Sequence, residues 1–134
     1  MLRAIGCCVL ALAALTHPAA AGDDRAALTA LALNALIEQH ASANGLPIAL
    51  VRQVIRRESN FNPRAVYQGN YGLMQIRLGT ARALGYRGTA EGLLDPAVNM
   101  TYGMRYLAGA YAAAHGNEAR TLVLYSTGYY SRGH

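Results

Sequence analysis

The sequence IALVRQVIRRESNFNP at positions 48–63 combines a regular helical pattern with an abrupt end. Pro47 precedes it, at a position that the first turn of a helix tolerates, and Asn62-Pro63 indicates where the element stops. Apolar side chains recur on one face, at Val51, Val54 and Ile55. Such a helix is stable only when that face packs against other elements, so this stretch predicts a helical core.

Further helices are predicted around this one. They span Arg25–Ala43, Thr80–Leu84, Asp95-Pro96 to Ala114, and Glu118–Ser126. Asp95 and Asn117 are residue types that cap the first turn of a helix. Residues 64–72 favour a loop or a short hairpin, and no strand-rich region is present. The predicted fold class is therefore all-α (mainly α), with about five or six short helices around one core.

The first 21 residues have the pattern of a signal peptide. Arg3 gives a positive start, Ala4–Leu15 is mostly apolar, and Ala19-Ala20-Ala21 offers a small-residue cleavage site. Cleavage there would remove both cysteines and leave residues 22–134 as a single domain without a disulfide. We therefore expect an exported protein, periplasmic or secreted, with no integral membrane segment.

The composition excludes other classes of protein. A hydrophobic content of 53% with only 14% charged residues excludes a disordered chain. Of the 12 basic residues, all arginine, 11 would remain after cleavage against 7 acidic residues, giving a charge of +4. This charge suits an anionic polymer, but no nucleic-acid-binding motif is present and we expect no nucleic-acid partner. No His, Asp or Glu pair has metal-ligand spacing, so no metal or cofactor is predicted.

Glu58 ends the apolar face of the helix at 48–59. Partial burial would raise the pKa of its carboxyl group, and a raised pKa suits a general acid. The alternative is a solvated helix-end residue paired with Arg57 or Arg64. From residue 59 to 90 there is no Asp or Glu, so the second carboxylate that glycosidases usually hold nearby is missing from this stretch. A single acid could suffice if a hydroxyl group of the substrate itself attacked.

Five motifs, in order, resemble the lytic transglycosylases of the soluble-lytic-transglycosylase (SLT) type, which are relatives of goose-type lysozyme. They are ESNFNP at 58–63, GLMQI at 72–76, Thr80-Ala81 with Leu84-Gly85, Asp95-Pro96 with Asn99, Gly103, Tyr106 and Leu107, and LYSTG at 124–128. The resemblance covers roughly residues 45–128. It implies a lysozyme-like α fold and cleavage of the β-1,4 bond between N-acetylmuramic acid and N-acetylglucosamine in peptidoglycan. It also implies a 1,6-anhydro-muramyl product, formed by attack of the sugar's own C6 hydroxyl group.

The resemblance assigns roles to individual residues as well. Glu58 is expected to be the catalytic acid and then the base. Gln75 is expected to line the sugar site, and Tyr125 to bring its hydroxyl group close to the acid. Tyr106 and Asn99 are expected to shape or support the groove. The other substrate-binding candidates are Tyr67 and Tyr71 in the polar loop, Met74, which also suits the core, and Ser59, which also suits a brace at the helix end.

Three departures from the family pattern fall near the expected groove. Residues 66–72 lack a serine that commonly contacts sugar, and Tyr67 or Asn70 is the candidate to replace it. Arg77-Leu78 replaces a common Met-Pro pair and brings a cation near the groove, and Ser126 replaces the asparagine of the last motif. These changes predict altered affinity or substrate preference and leave the acid in place.

Two other functions stay open from the sequence alone. A hydrolytic lysozyme on the same fold would need a second carboxylate or another base to activate water. A non-catalytic peptidoglycan-binding or assembly module would keep the groove without turnover. The expected partners are peptidoglycan glycan strands and, from the small size, a secretion or envelope assembly, and we expect a monomer.

Overall fold

The computed structural model describes residues 19–128. Within them the chain forms five α-helices, one short 3₁₀ helix and three short strands. In chain order these are α1 (Ala19–Ala43), α2 (Ile48–Ser59), β1 (Val66–Tyr67), β2 (Asn70–Tyr71), β3 (Ile76–Arg77), α3 (Leu78–Ala83), the 3₁₀ helix (Glu91–Leu94), α4 (Pro96–Ala113) and α5 (Glu118–Thr127). The predicted mainly helical fold class is confirmed.

The helix α4 lies at the centre of the described structure. It packs against α1, α3, α5, β3 and the 3₁₀ helix, and its buried residues include Met100, Met104 and Leu107. Its first turn is capped by Asp95, whose side chain accepts a hydrogen bond from the Val98 amide at 3.0 Å. The predicted start of this helix is therefore confirmed, because capping is local chemistry that the sequence displays directly.

The helices α1 and α5, which both pack against α4, differ in how well they were predicted. In α5 the Asn117 side chain accepts a hydrogen bond from the Arg120 amide at 2.8 Å, as expected of an N-cap. In α1 the helix begins at Ala19, earlier than the predicted Arg25 and before the predicted cleavage site. Leu28 and Leu31, in the first half of α1, are 66% and 65% exposed. The burial of α1 is concentrated in its second half, at Ile37 and Ala41.

A small antiparallel sheet interrupts the helices between α2 and α3. Its strand order is β1-β2-β3, with Tyr67 opposite Asn70 and Asn70 opposite Arg77. The sequence favoured a loop or a short hairpin near residues 64–72, and the structure has a hairpin there, formed by β1 and β2. The third strand was not predicted, because two residues are too few to show the alternation that identifies a strand.

Parts of two predicted segments, the signal peptide at 1–21 and the domain at 22–134, lie outside the described residues 19–128. Most of the predicted signal peptide at 1–21 lies there, as does the tail from Tyr129 to His134. In the part of the chain that the structure covers, none of the helices is both long enough and apolar enough to cross a membrane.

Candidate active site

Glu58 lies in the last turn of α2, beside an open groove of about 730 Å³. The helix buries Val51, Val54 and Ile55 in the core, and Glu58 continues that face to the edge of the groove, half-buried. The helix ends immediately afterwards, because Asn60 adopts the left-handed conformation and its amide donates to the Arg56 carbonyl oxygen at 3.1 Å. The geometry therefore exposes a carboxyl group at the point where an apolar helix face meets solvent.

Burial raises the pKa of the Glu58 carboxyl group above its ordinary value, because the charged form loses hydration. The positive charge of Arg57 acts in the opposite direction and does not cancel the effect. Among residues 19–128 the Glu58 carboxyl group has no hydrogen bond and no ion pair; the ion pair found there joins Arg52 to Glu38. Glu58 is thus a partly desolvated acid that is available to an incoming ligand.

Tyr125 of α5 approaches Glu58 from the opposite end of the chain. It is buried, and its hydroxyl group donates a hydrogen bond of 2.7 Å to the backbone carbonyl oxygen of Met74. Burial raises the pKa of this phenol well above its ordinary value, and the charges of Glu58 and Tyr106 add to the effect. Tyr125 therefore stays protonated, and it cannot serve as a general base near neutral pH.

Tyr106 of α4 supports the ring of Tyr125. The two ring centroids are 5.1 Å apart, and the rings meet edge to face at an interplanar angle of 63°. This arrangement is favourable for aromatic pairs. The Tyr106–Tyr125 pair forms the side wall of the groove, at the place where α4 and α5 meet.

Gln75 is held rigidly at the floor of the groove. Its backbone is in the left-handed region, with φ of 47°. Both donors of its side-chain amide are used, since Nε2 donates to the carbonyl oxygens of Ala65 at 3.0 Å and Gly72 at 2.9 Å. Its oxygen Oε1 accepts none of the hydrogen bonds found in residues 19–128 and is the atom left to receive a donor from a ligand.

Asn99 fixes the backbone that carries Gln75, from beneath the groove. Its side chain is fully buried and makes three hydrogen bonds to backbone. The oxygen accepts from the Met74 amide at 2.9 Å, and the nitrogen donates to the carbonyl oxygens of Tyr71 and Leu93, both at 2.7 Å. Ser59 adds a further tie, because its hydroxyl group lies 2.8 Å from the Leu73 carbonyl oxygen and 3.1 Å from that of Ile55.

Glycines allow these segments to approach one another. A Cβ on Gly72 would lie 2.6 Å from the Leu93 carbonyl oxygen, and φ of +71° at this position already disfavours other residues. A Cβ on Gly103 in α4 would lie 2.6 Å from the Met74 sulfur. The backbone from Gly72 to Gln75 therefore sits tightly on α4, which determines where the floor of the groove lies.

The structure brings some of the predicted site residues into the groove and leaves others outside it. Those that line it are Glu58, Gln75, Tyr67, Tyr106 and Tyr125. Those that do not are Ser59, Tyr71, Met74 and Asn99. Met74 is fully buried in the core, and Ser59 and Asn99 bond to backbone, so these three act beneath the surface that a ligand would touch.

The groove also contains residues that the sequence pattern did not assign as substrate-binding. They are Arg57, Gln68, Ile76, Arg77, Thr80, Ser126, Thr127 and Gly128; Asn70, the named candidate to replace the missing serine, lies there as well. Asn70, Arg77 and Ser126 occupy positions where the sequence departs from the family pattern, and those departures were the sequence signal that pointed to them. Gln68, Thr80 and Thr127 are polar residues without a distinguishing pattern, and only the folded geometry places them here.

Glu58 is the single acidic residue among those that line the groove within residues 19–128. A second carboxylate would have to come from Glu91, Asp95, Glu118 or the N-terminal helix, and none of these lines the groove. The described residues also contain no group of three or more side chains that could hold a metal ion. The chemistry available at this site is that of one acid surrounded by tyrosines, amides, hydroxyl groups and two arginines.

A small helical domain with one partly desolvated carboxyl group in an open polar groove is the arrangement expected of an acid–base enzyme. Comparison with known proteins identifies the family of enzymes. The family model described as "Transglycosylase SLT domain" matches residues 35–132, and the chain belongs to this family. A similar protein is the "Peptidoglycan transglycosylase gp16" of Escherichia phage T7, which is 34% identical over 97 residues. That match covers 69% of this chain but only 7% of the phage protein, so the chain corresponds to a small part of that relative.

Proposed function

We propose that this chain is a peptidoglycan lytic transglycosylase that uses Glu58 as its single acid and base. The observation that carries the proposal is the position of Glu58, a carboxyl group of raised pKa that is the single acid lining the groove within residues 19–128. Membership of the SLT domain family and the similarity to the phage peptidoglycan transglycosylase support peptidoglycan as the substrate.

The reaction needs two proton transfers at one carboxyl group. Protonated Glu58 first gives its proton to the glycosidic oxygen between N-acetylmuramic acid and N-acetylglucosamine. The bond from C1 to that oxygen breaks, and the electron pair leaves with the N-acetylglucosamine residue as an alcohol. The carboxylate then takes the proton from the C6 hydroxyl group of the muramyl sugar as its oxygen attacks C1. The product is a 1,6-anhydro ring, and no water is consumed.

The environment of Glu58 suits both halves of this cycle. The raised pKa favours the protonated form of Glu58, which the first transfer needs. Tyr125 remains a neutral phenol beside it, and Gln75 offers a fixed carbonyl oxygen to a donor of the sugar. Hydrolysis would require a base to activate water, and Glu58 is the one carboxylate that the described groove contains.

The decisive experiment is mass spectrometry of purified peptidoglycan sacculi after incubation with the protein, beside a Glu58→Gln variant. We expect anhydro-muropeptides from the unmodified protein and none from the variant. Reducing muramic acid ends would instead assign a hydrolytic lysozyme. Absence of soluble product from both proteins, with binding retained, would assign a non-catalytic peptidoglycan-binding module.

We also propose that the protein is exported, with residues 1–21 removed as a signal peptide. The positive start, apolar run and small-residue site support this proposal. In a Gram-negative host we expect the protein in the periplasmic fraction with Gly22 as its first residue, read by intact mass. Retention of Met1 in the cytoplasmic fraction would contradict export. We further propose that the protein acts as a monomer beside a secretion or envelope assembly.

A further inference from the structure

Three side chains form a row across the small sheet. Tyr67 on β1 is the partner of Asn70 on β2, and Asn70 is the partner of Arg77 on β3. Directly opposite residues on neighbouring strands project to the same face of a sheet. All three line the groove that contains Glu58. The sheet thus presents an aromatic ring, an amide and a guanidinium group, in that order, to a single ligand surface.

The guanidinium group of Arg77 is exposed and has no hydrogen bond or ion pair with any residue in 19–128. The groove holds a second cation, Arg57, and a single carboxylate, Glu58. The two arginines are not equivalent. Arg57 lowers the pKa of Glu58 by its charge, whereas Arg77 makes no resolved contribution to it. Arg77 therefore lines the groove with guanidinium donors that remain available to a ligand.

The other two members of the row suit a sugar that carries an anionic substituent. Tyr67 is 67% exposed, which leaves its ring free to stack on a sugar face. The Asn70 side-chain nitrogen donates to the Tyr67 carbonyl oxygen at 3.0 Å, so the amide is oriented and its oxygen can accept from an N–H group. Arginine binds carboxylates through two parallel hydrogen bonds.

We propose that Arg77 forms a carboxylate-binding subsite for the acidic substituent of the muramyl sugar, with Tyr67 and Asn70 positioning the sugar ring. This inference rests on the proposed function, because it takes peptidoglycan as the ligand. Two sources can supply the carboxylate. It belongs to the lactyl group when the peptide stem has been removed, and to the stem when the stem is present. A neutral chain of N-acetylglucosamine has neither.

The test measures binding by calorimetry in a Glu58→Gln background, so that turnover does not change the ligand. Three soluble ligands are compared: neutral chitohexaose, glycan oligomers stripped of their stems, and oligomers that keep their stems. A further Arg77→Gln change should weaken binding of at least one carboxylate-bearing ligand about tenfold, the loss expected for a charge-assisted hydrogen-bonded pair. Binding of chitohexaose should change less than about twofold.

Arg82→Gln is the matched control. Arg82 is exposed on α3 and does not line the groove, yet its loss changes the net charge by the same amount. We expect no effect of Arg82→Gln on any of the three ligands. A loss confined to stripped oligomers identifies the lactyl carboxylate, and a loss confined to stem-bearing oligomers identifies the stem.

The subsite is overturned if Arg77→Gln leaves all affinities unchanged, if it weakens chitohexaose equally, or if no ligand binds. These outcomes are separate from those of the product analysis. If Arg77→Gln weakens only the carboxylate-bearing ligands but no anhydro-muropeptides form, the subsite proposal stands and the transglycosylase proposal fails. If anhydro-muropeptides form but Arg77→Gln does not distinguish the ligands, the transglycosylase proposal stands and the subsite proposal fails.

Discussion

The hydroxyl group of Tyr125 donates a hydrogen bond of 2.7 Å to the backbone carbonyl oxygen of Met74, a residue next to Gln75 in the floor of the groove. Since Tyr125 lies on α5, this contact joins the last helix to the segment that carries Gln75. Asn99 holds the same segment from the other side, through the Met74 amide. The backbone of Met74 is therefore fixed by two buried side chains from different helices. These contacts determine the shape of the groove floor.

Replacement of Tyr125 by phenylalanine should leave the Met74 carbonyl oxygen without its partner. An unsatisfied buried acceptor costs about 1–3 kcal/mol, so we expect Tyr125→Phe to lower the free energy of unfolding by that amount in urea denaturation. Tyr102→Phe is the control, because no hydrogen bond of its hydroxyl group is found in residues 19–128, and we expect a change below about 0.5 kcal/mol. Equal effects of the two variants would contradict the importance of the bond.

Asn99→Ala should be more damaging than removal of an exposed cap. The Asn99 side chain bonds to the Met74 amide and to two carbonyl oxygens inside the protein, and its replacement by alanine removes all three bonds. We expect a destabilisation of about 3 kcal/mol or more. Asn117→Ala, which removes the cap of α5, should cost about 1 kcal/mol. Thermal and urea unfolding of both variants would compare them, and similar losses would show that Asn99 is not a central support.

Gly103→Ala should disturb the floor of the groove through Met74. The added Cβ would lie 2.6 Å from the Met74 sulfur and 2.9 Å from its Cβ, so one of the two segments must move. Overpacking of this kind costs about 1–3 kcal/mol, and we expect kcat/KM on sacculi to fall because Gln75 shifts with Met74. Gly79→Ala is the control. Nothing lies within 4 Å of its added Cβ, and it should be neutral or stabilising by up to about 1 kcal/mol.

The helix boundaries that could be predicted are those with a local chemical signal. Asp95 and Asn117 cap their helices because an oxygen on a short side chain meets free amides within three residues. The exposure of Leu28 and Leu31 could not be predicted, since it depends on which elements pack against α1. The third strand of the sheet, β3, was equally hidden, because two residues give no periodicity.

The site was predictable only in part for a related reason. The helical pattern shows that Glu58 places a carboxylate at the end of an apolar face. Its neighbours in the groove, however, come from distant segments of the chain. Gln75 and Tyr125 were assigned by resemblance to family motifs, not by spacing. Asn99 was expected to support the groove, but the backbone atoms that it bonds belong to segments distant in sequence and could not be named in advance. Thr80 carried no sign that it would line the groove.

The raised pKa of Glu58 also affects stability. Between the ordinary pKa and the raised one, the folded state binds more protons than the unfolded state, so stability falls as pH rises through this window. Glu58→Gln removes the titrating group. We therefore expect the variant to gain stability relative to the unmodified protein as pH increases from 4 to 7, with little difference at pH 4. Urea midpoints across this range would test it, with the exposed Glu91→Gln outside the groove as the charge-matched control.

Arg57 should set the alkaline limit of activity. The first step requires protonated Glu58, so kcat/KM should fall as pH rises through the pKa of this acid. The charge of Arg57 holds that pKa below the value that burial alone would give. Arg57→Gln should therefore raise the pKa and move the alkaline limb of the pH profile to higher pH. Arg56→Gln, a neighbour that does not line the groove and makes no resolved contribution to this pKa, should leave the limb in place. An unchanged limb in Arg57→Gln, or an equal displacement in both variants, would mean that Glu58 is not the acid whose protonation limits the reaction.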